Sequence, residues 1–312
     1  MAEELGRDDY AAHALNTLGM ARVESGDDDG IADLERSIER AKQAGDPYAM
    51  CHGYNNLANI LWQLARLDEA SVHLQKARET GAQYGLRVAV LWAEAEAVYQ
   101  AFLLGDYPEM AARADRFLAE HGSEQMQQEG AMRVCLALGL IAAGQNDQAL
   151  EQSERGLAHG REVADAQSLC SAILVRAFAL SYAGEKEEPT QLLDEILASA
   201  TMMRFFHWLA PLPLLLVEQG RGSDFVAACE PVPFTSPWRT AAVAAAQGDL
   251  VAAADEYERI GSKFVEAWAR LLAAEAGCPA SDVQLAQAQA YFERIGAVPY
   301  LRRCQALLAA SA

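Results

Sequence analysis

His52, Asn55, Asn56, Asn59 and Trp62 fall within eleven residues of one another, in a stretch whose neighbours read as helix. Asparagine is a poor helix-interior residue because its amide competes for backbone hydrogen bonds, so three of them in one helix call for a reason. Their amides could donate to and accept from an extended peptide backbone, and the tryptophan could add rigid contact area. Covalent and metal chemistry find less support. The histidines at 13, 52, 73, 121, 159 and 207 are too scattered for metal spacing. Cys51 and His52 are neighbours, and neighbours on a helix point apart. The acidic turn Asp27–Gly30 resembles a calcium loop only in part. Ser25 stands where the first acidic ligand belongs, and Arg36 where the closing glutamate is needed. The chain lacks a G-x-x-x-x-G-K-[ST] phosphate loop, H-E-x-x-H and G-x-S-x-G. We therefore expect no catalysis, no metal site and no cofactor.

The elements that must position these side chains are written in the punctuation of the chain. Glycine or a small residue recurs at Gly26, Ala65, Gly105, Gly144, Gly184, Gly220 and Gly248, with intervals of 39, 40, 39, 40, 36 and 28. A helical pattern of about four turns leads into each site and a second helical pattern follows. Glycine there ends the first helix in a left-handed conformation. Asp27, Asp68 and Asp249 close behind help to start the second. Each interval is thus a helical hairpin, and hairpins of fixed period stack.

Composition agrees. Of 312 residues, 52% are hydrophobic but only 8% aromatic, with alanine carrying much of the apolar content, which favours helices over sheets. The formal net charge of −19 argues against a polyanionic partner, hence no nucleic acid, and is compatible with a basic protein or peptide. Six cysteines without a CxxC pair read as reduced thiols of a cytoplasmic protein. The longest apolar run, Phe205–Val217, is too short for a bilayer, so no membrane is expected.

In the second interval, Tyr54, Leu57, Ala58 and Leu61, followed by Ala70, Leu74 and Ala77, resemble the tetratricopeptide-repeat pattern of large, Leu, small and large residues on helix A and small, large and small on helix B. Leu15, Leu18 and Gly19 repeat part of it, as do Ala253, Tyr257 and Ile260; Pro189 departs from it, and Pro211 with Pro213 should break a helix. The common repeat of this family is about 34 residues, shorter than the period near forty here. "DGIADLERSIERA", "GYNNLANILWQL", "GSKFVEAWARLLAAEA" and the tail from Ala290 resemble the C-terminal repeat region of bacterial multidomain signal-transduction ATPases, the cyclase–ATPase and LuxR-type regulators.

These resemblances imply an all-α fold, a right-handed superhelix of about seven to eight hairpins. Residues 1–200 would form regular repeats, 201–235 a degenerate, proline-interrupted hairpin and 236–312 the last repeats with a capping helix. Leu57, Leu61, Ala70, Leu74 and Ala77 should be buried between helices. In the cap, Tyr300, Leu301, Leu307 and Leu308 should face inward and Arg302 and Arg303 outward. Residues 1–9 are too short to cap the first hairpin, so a sticky flank is expected there, for a homodimer or for ATPase or cyclase domains upstream.

The A helices of such stacks line the concave face. One stripe then holds His13, Asn16, Met20 and Val23, continues with His52, Asn55, Asn59 and Trp62, and ends with Trp92, Ala95, Tyr99 and Phe102; Asn56 and Glu96 lie beside it. The expected groove is His13, Asn16, His52, Asn55, Asn56, Asn59, Trp62, Trp92, Glu96, Tyr99 and Phe102. In later intervals Val134, Leu138 and Ile141, then Leu174, Phe178 and Ser181, make a blander stripe suited to packing on itself or on a neighbour. The function expected is protein or peptide binding, or a sensor scaffold, in a bacterial regulator. The alternatives are a small-molecule sensor, an enzyme whose catalytic residues hide in the irregular stretch 202–238, and one part of a cyclase or ATPase polypeptide whose catalytic domains lie upstream.

Overall fold

Seven residues singled out by spacing all take the left-handed conformation that ends a helix. In the computed structural model, which describes residues 8–122, 128–278 and 280–311, φ at Gly26, Gly105, Gly144, Gly184, Gly220 and Gly248 lies between 71° and 92°. The one non-glycine of the series, Ala65, also sits at φ 60°, where its Cβ crowds the following carbonyl at a cost of about 1 kcal/mol. The described residues form seventeen α-helices and no strand. Neighbouring helices pair as hairpins: α1 (Asp8–Glu24) with α2 (Gly30–Ala44), α3 (Pro47–Gln63) with α4 (Leu67–Gln83) and, after α5 (Arg87–Leu104) and α6 (Tyr107–His121), α7 (Glu129–Ala142) with α8 (Asn146–Val163). Then come α9 (Ala166–Tyr182) with α10 (Glu187–Leu197), α11 (Leu212–Glu218) with α12 (Gly222–Cys229), α13 (Pro237–Ala246) with α14 (Leu250–Ile260) and α15 (Lys263–Glu275) with α16 (Ser281–Ile295). A last helix, α17 (Val298–Ser311), follows. Fold class and hairpin order are those expected of a helical repeat.

A second punctuation falls between hairpins and went unread in the sequence: Gly45, Gly85, Ala164, Gly261 and Gly296 are also left-handed. Aspartates start several A helices. Asp46 accepts from the Ala49 amide at 3.0 Å and Asp165 from the Ser168 amide at 3.0 Å. Of the three aspartates assigned to helix starts, Asp249 caps α14 through the Ala252 amide at 3.2 Å, and Asp68 lies in the first turn of α4. Asp27 instead belongs to a small ion cluster in which Arg22 reaches Asp27 at 2.8 Å, Asp29 at 3.3 Å and Asp33 at 2.6 Å. The acidic turn is held by this guanidinium.

Two compact units divide the chain. One runs as far as Gln100 and includes Pro233–Ser236; the other comprises Ala101–Val232 and the residues from Pro237 onward, so the boundary falls inside α5. In the first unit Leu57, Leu61, Ala70, Leu74 and Ala77 are all buried, as the repeat pattern requires. Small residues serve close approach. A Cβ on Gly19 would lie 2.6 Å from the Gly30 carbonyl oxygen, so α1 and α2 cross at backbone contact.

The second unit closes through aromatic rings from its two ends. Tyr107 of α6 stacks on Phe264 of α15 with centroids 4.0 Å apart, and Phe178 of α9 stacks on Trp268 at 5.2 Å. The Tyr291 hydroxyl donates to the Gly105 carbonyl, and Trp268 Nε1 donates to Glu218 Oε1 at 2.8 Å. The blander stripe has thus packed on its own chain: Val134, Leu138, Ile141, Leu174 and Phe178 are buried.

Between α10 and α13 the helices are short. Met202–Arg204 is a 3-10 turn, and α11 begins only at Leu212, after Pro211 and with Pro213 in its first turn, where proline's missing amide costs nothing. His207 lies buried here, and burial pulls its imidazole down to about 3, so it is uncharged at neutral pH. In α17, Tyr300 is buried, Arg302 is exposed, and Leu301 and Leu307 are half-buried as expected. Leu308 is 47% exposed, and Cys304 takes the inward place assigned to it. Arg303 is not free in solvent: it pairs with Glu275 at 2.6 Å and Glu218 at 2.5 Å. On α1, Tyr10 and Leu18 are exposed; residues 1–7 of the expected N-terminal flank lie outside the described residues.

Candidate functional site

The face of interest lies in the first unit, on α1, α3 and the first fourteen residues of α5. Its register is fixed at two points. Asn16 Nδ2 lies 3.2 Å from His52 Nδ1, tying α1 to α3. The rings of Trp62 and Tyr99 meet edge to face at 5.2 Å, tying α3 to α5. One turn back from that ring pair stand Asn59 on α3 and Glu96 on α5, and a further turn back Asn55 and Trp92. Gln100 bridges to α4, donating to the Ser71 hydroxyl and, at 3.5 Å, to the Leu67 carbonyl.

Exposure sorts the eleven expected groove residues. His13 and His52 are exposed, and Asn55, Asn56, Asn59, Trp92 and Glu96 are half-buried. The other four correct the expectation of an open surface. Trp62 is fully buried, Tyr99 and Phe102 nearly so, and Asn16 is 5% exposed. The aromatic rings became packing between helices because a large apolar surface is better removed from water than displayed. Phe102 moreover belongs to the second unit, where its ring lies 6.1 Å from that of Tyr107. What stays reachable is a polar strip with one remaining aromatic, Trp92.

Hydrogen bonding on this strip is incomplete. Asn59 Oδ1 accepts from Gln63 Nε2 at 3.0 Å, so Asn59 braces its own helix. The side-chain oxygens of Asn16 and Asn55 are buried with no hydrogen-bond partner among the described residues. Such orphans are uncommon, since an unmet buried polar atom costs about 1–3 kcal/mol. Burial raises the Glu96 carboxyl to about 7, as expected of a carboxylate without a neighbouring cation. Burial, with a contribution from His13, lowers the His52 imidazole. His73 on α4 is lowered too, by burial and by Lys76. The strip can therefore accept hydrogen bonds and positive charge. No cluster of three or more metal-ligating side chains occurs among the described residues, and no helix among them is long and apolar enough to cross a membrane.

Asn16, at the boundary between α1 and α3, was legible as a stripe residue, but its burial was not. Gln63 and Gln100 were missed. Gln63 sits one turn beyond Asn59 and Gln100 one turn beyond Glu96, and nothing in their type or spacing marks them as braces.

The turn series, the hairpin order and the absence of strands among the described residues decide the architecture. It is a helical repeat protein. No family model matches the sequence, and a comparison with curated proteins finds no match. Among solved structures, a circular tandem repeat protein with a novel repeat topology and enhanced subunit contact surfaces is similar over 99% of this chain and 85% of that one, at 14% identity and a TM-score of 0.25.

Proposed function

We propose that the first unit is the recognition face of a non-catalytic binding module that takes an extended protein or peptide segment. The observation that supports this reading most directly is the unmet amide oxygen of Asn55, a residue of the strip that remains partly open. A polypeptide laid along α3 and α5 would bring backbone amides to such an acceptor. The contrast with the second unit strengthens it: there the equivalent stripe is apolar, buried and filled by the chain's own rings. The tetratricopeptide-like residues at 54–77 and the likeness to repeat regions of bacterial multidomain regulators favour a sensor or scaffold role in cytoplasmic signalling. In that setting cyclase or ATPase chemistry would belong to other domains.

Peptide display tests the reading. Selection of random dodecapeptides on the immobilised chain should yield binders, and Asn55→Ala with Asn59→Ala should weaken them by about 0.5–1.5 kcal/mol per lost contact, with helicity and melting temperature unchanged. Loss of melting temperature together with binding would instead assign the two amides to bracing between helices. The purified chain should also release no phosphate from ATP and form no cyclic nucleotide, because it has no phosphate cradle of recognisable pattern. Turnover that persists after contaminating ATPases are removed would contradict the non-catalytic reading.

A further inference from the structure

Glu96 stands out among the carboxylates of this chain by its surroundings. It is half-buried on α5, one turn before Tyr99, whose ring is fixed against Trp62. It makes no hydrogen bond and no ion pair with any described residue, whereas many other glutamates of the protein are engaged by arginine, among them Glu69, Glu109, Glu129, Glu218, Glu258 and Glu275. Half-buried carboxylates are normally paired, because desolvation without a counter-charge is unfavourable. On the same face the unmet atoms of Asn16 and Asn55 are both acceptors. Asn59, level with Glu96 across α3, has its oxygen already occupied by Gln63. What this strip lacks, then, is hydrogen-bond donors and one positive charge.

We propose that Glu96 is the anchor for a lysine or arginine side chain of a peptide partner, with the Asn55 oxygen receiving a donor from the same segment. The proposal rests on the reading of the first unit as a recognition face and narrows the partner to a basic one. A guanidinium or ammonium has donors and no acceptors, which matches a face with unmet acceptors. Trp92, one turn from Glu96 and half-buried, is placed to flank the aliphatic stem or the guanidinium plane of that side chain. The chain's net charge of −19 draws a basic segment in from a distance, and the desolvated site strengthens the pair once formed.

Display of random dodecapeptides on the full chain and on Glu96→Gln and Glu96→Lys variants, each first checked for wild-type helicity and a cooperative melting transition, decides the matter. Wild-type binders should share a lysine or arginine at one fixed position. Replacing that residue by methionine in a synthetic peptide should weaken binding roughly 10- to 100-fold, Glu96→Gln should weaken the parent peptide by a similar factor, and the two changes together should cost little more than either alone. Glu96→Lys should select peptides with an acidic residue at that position. Binders without a shared basic residue, or binders indifferent to Glu96→Gln, would overturn the anchor while leaving the recognition face standing. A wild-type chain that selects no peptide above the background of a heat-denatured control would remove both.

Discussion

Replacing Phe264 by alanine should destabilise the protein by roughly 3–5 kcal/mol, the range for deleting a fully buried aromatic ring. Phe264 is 1% exposed and touches five other rings. It stacks on Tyr107 at 4.0 Å and meets Tyr300 at 5.3 Å, Phe292 and Trp268 at 6.2 Å and Tyr291 at 6.4 Å. Edge-to-face and offset pairs of this kind add about 0.5–1.5 kcal/mol each beyond burial alone. The contact with Tyr107 joins residues more than 150 positions apart in sequence, so the loss falls on the closure of the second unit. Equilibrium denaturation followed by far-ultraviolet circular dichroism should show the lowered midpoint. A loss below about 1 kcal/mol would mean that the ring cluster does not hold the unit together. The Tyr107→Phe variant supplies the contrast. The Tyr107 hydroxyl is buried with no partner among the described residues, so removing the oxygen while keeping the ring should be neutral or stabilising.

The ring cluster was beyond the reach of sequence reasoning, whereas the turns that bracket it were not. A left-handed turn is a local demand, met at Gly105 by a single residue type, and it repeats with the period of the hairpins. A glycine there is required twice over: φ is 82°, and a Cβ would lie 2.5 Å from the Phe264 amide nitrogen. Only the first reason is visible in one dimension. The burial of Leu57, Ala70, Leu74 and Ala77 was likewise legible, because a repeat pattern encodes which face of each helix meets its neighbour. Which stripe residues would stay open was not. Trp62 and Tyr99 occupy the same helical positions as Asn59 and Glu96, one turn along, and only the packing of α3 on α5 turns the rings inward. Helical spacing assigns a side of the helix; it does not say what covers that side. The unpaired state of Glu96 is harder still to foresee, since it depends on where every arginine of the unit ends up.

Glu96→Gln should raise stability at pH 8 and leave it nearly unchanged at pH 4. In the folded protein burial lifts the carboxyl from 4.5 to about 7. The fold therefore favours the protonated form, and the stability this group contributes is fully present below about pH 4.5 and lost as pH rises through about 7. Glutamine has the shape of the neutral form at every pH. A rise of this size bounds the gain at about 3 kcal/mol, and the partial solvent contact of Glu96 reduces it to the order of 1–2 kcal/mol. His52 and His73, both lowered by burial, titrate on the acid side in wild type and variant alike, so they cancel in the difference between the two. Melting curves of both proteins at the two pH values measure it, and an equal difference at pH 4 and pH 8 would mean that the carboxylate is not desolvated in solution. A residue whose charged form weakens the fold at neutral pH, and which glutamine would relieve, is one that structural requirements alone do not explain. The stability recovered at pH 8 should reappear as lost affinity for a basic peptide, because the same desolvated negative charge would be the source of both.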